Sequence, residues 1–471
     1  MIARWGLRTG AVVVASTLVA LSPAVSATAH AINPPVVDPA AVPPDVPPGP
    51  DEPLRVEHGC AVTGVLPNSD LGAPSASQVF MNLPELWKSA GKGAGVSVAV
   101  IDTGVSPSPR LPHLQGDGDY VVPADNGLTD CDSHGTIVAS IIGGAPAETD
   151  GFAGVAPDAN LISIRQSSEA YVPENPSPGD SESDRRAGTV SSLASAIVHA
   201  ANTPGVRVIN MSVVACIPVL KPVDQTTLGA ALRYAAVEKD IVIVTAAGNL
   251  ANQDCSQNPD IDATDAKDPR NWSGVVTIST PSWFADYVLS VTATDGAGQP
   301  AVDATGREIS LFGPWVGVAA PGLFVEGFND HGDLINSTFD STAGVLKAMN
   351  GTSFSAAYVS GLAALVRAKY PTLTAAQVIE RIEQTAHSPA AVVDNRVGYG
   401  AIDPLAALND DVPLGAAQPQ EHLSRPLTLP PPPPPPDRRP MIVALVGSAV
   451  LGAAMLLLFA VVNLAGKRKK P

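Results

Sequence analysis

Between residues 96 and 246, short apolar runs alternate with segments whose apolar residues recur at helical spacing. Residues 96–101, 161–164, 206–211 and 241–246 are near-continuous runs of branched apolar side chains, which predicts strands. Residues 137–142, 190–201 and 227–238 carry the helical pattern between them. Strands that are apolar on both sides and alternate with helices belong to a mostly parallel sheet covered on both faces. The predicted fold class is therefore α/β, a three-layer α/β/α arrangement. Such sheets bind ligands beyond the carboxyl ends of their strands, so the residues following each run are the place to look for chemistry.

Two apolar stretches stand outside this rhythm. Residues 11–21 are apolar except for Ser16 and Thr17, follow Arg4 and Arg8, and lead to Ala27-Thr28-Ala29-His30-Ala31. This predicts a signal peptide over residues 1–31, cut after Ala29 or Ala31. The competing reading, an uncleaved anchor, asks for a run of about 20 residues. Residues 441–464 carry no charge, and at ~1.5 Å per residue they span a bilayer core of ~30 Å. Lys467, Arg468, Lys469 and Lys470 follow, against Arg438 and Arg439 on the other flank. The larger charge stays cytoplasmic. The expected topology is single-pass, with residues 465–471 as a cytoplasmic tail and the body outside the membrane.

Proline divides the remainder. Residues 32–53 are proline-rich and are expected to be extended, without a core of their own, as the start of an N-terminal arm over 32–82. A domain over 83–411 follows. Residues 412–440, with Pro430 to Pro436 consecutive, are expected to form a linker to the transmembrane helix. Two polar insertions, 165–186 and 249–272, interrupt the domain.

A net charge of −17 argues against nucleic acid or an anionic lipid surface as the main partner. The four cysteines Cys60, Cys131, Cys216 and Cys255 suggest two disulfides in an exported chain, with three pairings open. No Cys-x-x-Cys or Cys-His cluster supports zinc. Asp260, Asp262, Asp265 and Asp268 invite a calcium reading, but their order is not that of an EF-hand and a solvated acidic loop is commoner. No cofactor or metal is expected.

Three motifs carry the chemistry. Asp102 follows the first strand in Val-Ile-Asp-Thr-Gly; His134 opens a helical segment in Asp-Ser-His-Gly-Thr; Ser353 lies in Gly-Thr-Ser-Phe-Ser before a small-residue helix. Alone, each reads as a cap or turn residue. Together, in the order Asp, His, Ser, they match one of the known orders for a nucleophile–base–orienter triad. A helix N-terminus also favours developing negative charge beside the serine.

These motifs resemble those of the subtilases over about residues 83–404. Gly154-Val155-Ala156-Pro157, Val208-Ile209-Asn210-Met211-Ser212, Ala246-Ala247-Gly248-Asn249 and Ala320-Pro321-Gly322 are similar to further family segments. The resemblance implies a serine endopeptidase with Asp102, His134 and Ser353 as triad. It also implies an oxyanion hole from the Asn249 amide and the Ser353 N–H, and a substrate edge at Ser212, Val213 and Val214. Ala357 stands where the family usually has proline, and Val213-Val214 where it often has Leu-Gly, so specificity does not carry over. The full layout resembles the mycosins, the membrane-anchored subtilases of type VII secretion systems. That resemblance implies a protein substrate, partners in an inner-membrane secretion complex, and two roles, cleavage and stabilisation of the complex. The alternative is mainly a scaffold with an occluded active site. Pairing Cys60 with Cys131, and Cys216 with Cys255, would staple the arm beside the active site as a permanent wrapping rather than a removable propeptide.

Overall fold

The structure is a computed structural model that describes residues 32–175, 187–221, 223–251, 254–424 and 438–467. The expected signal peptide, most of the polar tail of the 165–186 insertion, the run Pro430–Pro436 and the last basic residues lie outside the described residues.

Along the chain the elements run as follows. Strands β1 (Leu54–Val56) and β2 (Thr63–Gly64) and helix α1 (Ala76–Met81) belong to the arm. They are followed by α2 (Leu83–Ala90), β3 (Ser97–Asp102), β4 (Leu114–Asp119), α3 (His134–Gly143), β5 (Asn160–Arg165) and β6 (Tyr171–Pro173). Next come α4 (Val190–Asn202), β7 (Val206–Met211), β8 (Ala215–Pro218), α5 (Thr226–Arg233), β9 (Val242–Ala246), β10 (Thr277–Thr280), β11 (Leu289–Thr294) and β12 (Val316–Pro321). Two hairpins, β13 (Gly327–Phe328) with β14 (Leu334–Ile335) and β15 (Ser337–Asp340) with β16 (Val345–Ala348), precede α6 (Thr352–Lys369), α7 (Ala375–Gln384) and α8 (Pro404–Asn409).

The central sheet has seven strands in the order β12-β11-β9-β7-β3-β5-β4, and every pairing in it is parallel. The period-two alternation of a strand sorts its side chains into two cores. In β3, Val98 and Val100 join the core beneath α3 and α6, while Ala99 and Ile101 join the one beneath α4 and α5. In β9, Val242, Val244 and Ala246 face the first core and Ile243 the second. This explains why the sequence shows unbroken apolar runs rather than alternation: both faces are covered. The order places β3 inside the sheet, between β7 and β5, and all of its residues are buried.

Two departures from expectation and one contact not expected from the sequence have local causes. The expected helix over 227–238 divides into α5 and a π-helical turn, Tyr234–Glu238. The arm is tied to the domain, since Val37 is 2% exposed and packs into the domain's second core. The expected linker also begins later than residue 412. Residues up to Ser424 belong to the first compact unit, because Glu421 pairs with Arg233 at 2.7 Å and His422 with Asp286 at 2.7 Å.

In the second unit, α9 (Arg439–Lys467) is the one helix among the described residues long and apolar enough to cross a membrane. Its 26-residue apolar span, Arg439–Leu464, extends ~39 Å at ~1.5 Å per residue.

Candidate active site

Asp102 is the last residue of β3 and is fully buried. His134 is the first residue of α3. Gly135 brings them together: a Cβ there would stand 2.1 Å from the Gly104 carbonyl oxygen, so only glycine lets the first turn of α3 rest on the turn that ends β3. His134 Nδ1 then lies 2.6 Å from Asp102 Oδ1, and the same oxygen accepts the Thr103 N–H at 2.8 Å. A carboxylate on Nδ1 fixes the ring and its tautomer, leaving Nε2 free to accept a proton. Burial pushes the imidazole pKa down, but the Asp102 charge and hydrogen bond, with smaller contributions from Asp130 and Glu169, more than offset it and raise the pKa to about 9.

Ser353 is the second residue of α6, whose first turns are buried. Its Oγ donates to the Ser212 carbonyl at 3.3 Å, and no hydrogen bond joins it to His134 among the described residues. Phe354, the next residue, stands its ring 5.7 Å from the His134 ring. The end of β7 braces this helix. Asn210 Nδ2 donates to Ser212 Oγ at 3.0 Å, Ser212 Oγ to the Ser353 carbonyl at 3.1 Å, and Ser360 Oγ to Asn210 Oδ1 at 2.9 Å.

Asn249 follows β9 by three residues. Its Oδ1 accepts the Thr352 N–H at 3.0 Å and Thr352 Oγ at 3.2 Å. Because Thr352 presents a donor, the amide oxygen must face it. The Nδ2 N–H groups are left for the other side, at the helix N-terminus that carries Ser353. A pinned amide and a helix-start N–H can stabilise an oxyanion without reorganising.

Asp102, His134, Ser353 and Asn249 thus come together at the carboxyl ends of β3 and β9 and the starts of α3 and α6. Of the expected substrate edge, Ser212 is 5% exposed and its hydroxyl is engaged with Ser353. Val213 and Val214 are half-buried, each against a different core. The cysteines form Cys60–Cys131 and Cys216–Cys255. The first holds the arm three residues from His134, where Ala61 N also donates to the Cys131 carbonyl at 2.7 Å. The second joins β8 to the segment after Asn249.

The aspartates of the acidic loop are engaged with protein donors. Asp262 accepts from Thr264 N, Asp265 from Lys267 N, and Asp268 from Trp272 N and Ser273 N. Asp260 pairs with Arg396 at 2.7 Å. Each carboxylate closes its own turn, and no group of three or more candidate ligands converges among the described residues.

Two pairs of residues escape sequence reading. Asn210 and Ser360 brace the nucleophile from 150 residues apart. Asp130 and Thr103 link the Asp102 turn to the His134 helix. The one available signal is that Asp130 lies four residues before His134, just ahead of the Asp-Ser-His-Gly-Thr motif.

A model of the subtilase family matches residues 93–400, the stretch that holds the parallel sheet and all four site residues. Mycosin-3 of Mycobacterium tuberculosis is 45% identical over 453 residues, covering 94% of this chain and 95% of its own length. Mycosin-1 of the same organism is 49% identical over 409 residues, covering 86% and 89%. Among solved structures, the crystal structure of MycP1 from the ESX-1 type VII secretion system superposes with a TM-score of 0.78 at 46% identity, covering 83% of this chain and all of that one. A chain in the intact ESX-5 inner membrane complex superposes at 0.76 and 47% identity, covering 92% and 100%. The chain belongs to the subtilase family of serine proteases and, within it, to the mycosins.

Proposed function

We propose that this chain is a membrane-anchored serine endopeptidase with Asp102, His134 and Ser353 as its catalytic triad, acting on a protein substrate of a type VII secretion system. The observation that carries the reading is the 2.6 Å contact between His134 and Asp102 beside a serine at a helix start.

Ser353 Oγ attacks the scissile carbonyl as His134 Nε2 takes its proton. To reach the imidazole the hydroxyl turns away from the Ser212 carbonyl, and such contacts are often long before substrate binds. Asp102 stabilises the imidazolium and holds its orientation. The oxyanion is met by Asn249 Nδ2 and the Ser353 N–H. His134 then protonates the leaving amine, and water repeats the sequence on the acyl-enzyme.

The anchored topology is supported by the apolar helix α9, by basic residues at its C-terminal side and by two disulfides, which suit an oxidising compartment. On this reading the catalytic unit lies outside the inner membrane, the C-terminus is cytoplasmic, and residues 1–31 are a signal peptide. A place in a secretion complex is supported by likeness to chains in the ESX-5 inner membrane complex and its periplasmic assembly. One observation favours a second role as scaffold: the arm is bonded to Cys131 beside the site and covers its flank. Cleavage of a peptide library by the full chain in detergent micelles, against Ser353→Ala, separates the two. Cuts that vanish in the variant support the peptidase; equal patterns favour the scaffold.

A further inference from the structure

We propose that Asp130 is a positioning residue that holds Asp102 and His134 in mutual register, an inference that rests on the triad reading above. Asp130 lies four residues before His134 and is 7% exposed. Its Oδ1 accepts Thr103 Oγ at 2.8 Å and Asp132 N at 3.1 Å. Its Oδ2 accepts Thr136 N at 2.8 Å and Thr136 Oγ at 2.6 Å.

Thr103 directly follows Asp102, and Thr136 lies two residues after His134. One carboxylate therefore grips both the turn that ends β3 and the first turn of α3. Thr103 Oγ closes the circuit by accepting Gly135 N at 2.9 Å. The Thr103 hydroxyl has one proton to give, and Asp130 at 2.8 Å is nearer than Asp102 Oδ1 at 3.3 Å. A third stitch runs from Ser106 N to Thr136 Oγ at 3.0 Å. Asp130 touches neither nucleophile nor oxyanion hole; it acts through the residues on either side of the Asp102–His134 contact.

The chemistry requires a carboxylate. Each oxygen accepts one backbone N–H and one hydroxyl; a hydroxyl can turn to accept but a backbone N–H cannot, so an asparagine of the same shape would set its own N–H group against Asp132 N or Thr136 N whichever way it flipped. Charge adds to geometry. Burial raises the pKa of Asp130 to about 7, with the neighbouring Asp102 charge adding to that rise and hydrogen bonds from Thr136 and Thr103 opposing it. The groups that raise the pKa of His134 are Asp102, Asp130 and Glu169, so removing the Asp130 charge lowers it.

The test is the rate of fluorophosphonate labelling from pH 6 to 10 for the full chain in detergent micelles. Wild type, Asp130→Asn, Thr136→Val and Thr136→Ser are compared. Asp130→Asn is expected to lower the high-pH plateau about 10-fold or more, since misplacement by an ångström costs up to about 100-fold. Its midpoint should fall by roughly 0.5 to 1.5 pH units, the loss of one nearby charge in an intermediate dielectric. Thr136→Val keeps the charge and loses a stitch, so its plateau falls without a downward midpoint shift; Thr136→Ser restores the plateau. A folded Asp130→Asn with the wild-type midpoint and a plateau within about twofold of wild type overturns the proposal. Should that variant fail to fold, an unchanged plateau in Thr136→Val overturns it instead. Failure of the triad reading looks different: wild type would not label, or Ser353→Ala would label equally. The His134 imidazole titration, followed by NMR on histidine-labelled protein, then still reads whether Asp130→Asn shifts the midpoint.

Discussion

Val37, in the arm before the catalytic domain, and Leu423, in the segment after it, face each other in a parallel β-bridge. Val37 N donates to the His422 carbonyl and Ser424 N to the Val37 carbonyl, both at 2.8 Å. The two ends of the catalytic unit are thus tied together where the chain leaves toward α9. The Val37 side chain is buried against α5, where Gly229 makes room for it: a Cβ on Gly229 would lie 3.2 Å from Val37 Cγ2 and 2.6 Å from the Phe284 ring.

This clasp predicts that Val37→Ala destabilises the catalytic unit by about 1–3 kcal/mol, from lost burial and the cavity left behind. Gly229→Ala should also destabilise, although in an unhindered helix the same change stabilises by about 1 kcal/mol. Denaturant melts of the full chain check both. A more stable Gly229→Ala would show that the Val37 and Phe284 contacts yield.

The histidine sets the pH dependence. His134 must be neutral to accept the Ser353 proton, and its pKa is raised to about 9. The labelling rate should therefore climb with pH and level off above about 9. Stability runs the opposite way. The contribution of the charged His134–Asp102 pair is complete below the unfolded histidine value of ~6.5 and is lost as pH rises through the folded value. A rate already level at pH 7 would contradict this.

The proposed function gives Asn249 two jobs that one pair of variants separates. Asn249→Ala should lower kcat about 100- to 1000-fold with little change in KM, as loss of an oxyanion donor does, and it also strips the acceptor from Thr352 N. Asn249→Asp keeps that acceptor but loses the donor and adds a negative charge. It should melt closer to wild type than the alanine variant while being at least as slow. Near-normal kcat in Asn249→Asp would remove Asn249 from the oxyanion hole.

The arm is expected to stay after being cut. With Cys60 bonded to Cys131, a single cut between residues 64 and 75 leaves the N-terminal piece covalently attached. Two fragments should separate on a denaturing gel only after reduction. Their separation without reductant would contradict the pairing.

The strands and the site residues were legible in the sequence for a common reason. The run 206–211 matches β7 residue for residue, because a strand covered on both faces leaves an unbroken apolar signal. Asp102 sits where that signal stops, and His134 and Ser353 sit where helices begin. What stayed hidden depends on contacts between distant segments. Strands such as β2 and β13 are two residues long and leave no periodicity to read. Val37 gave no sign of burial among prolines, since its partner Leu423 lies 386 positions away. Asp130 looked like one more acidic residue in an acidic chain, and only closure of the fold surrounds it with four donors. The aspartates at 260–268 lie in the polar insertion, where each is engaged within its own turn or with Arg396.

The central claim is that Ser353 is a nucleophile activated by His134. The most direct measurement is fluorophosphonate labelling of the full chain in detergent micelles, with the modified residue located by peptide mass spectrometry. The account predicts a single adduct on Ser353, absent in Ser353→Ala and strongly slowed in His134→Ala. A folded wild-type chain that carries no adduct, or one that carries it elsewhere, would contradict it.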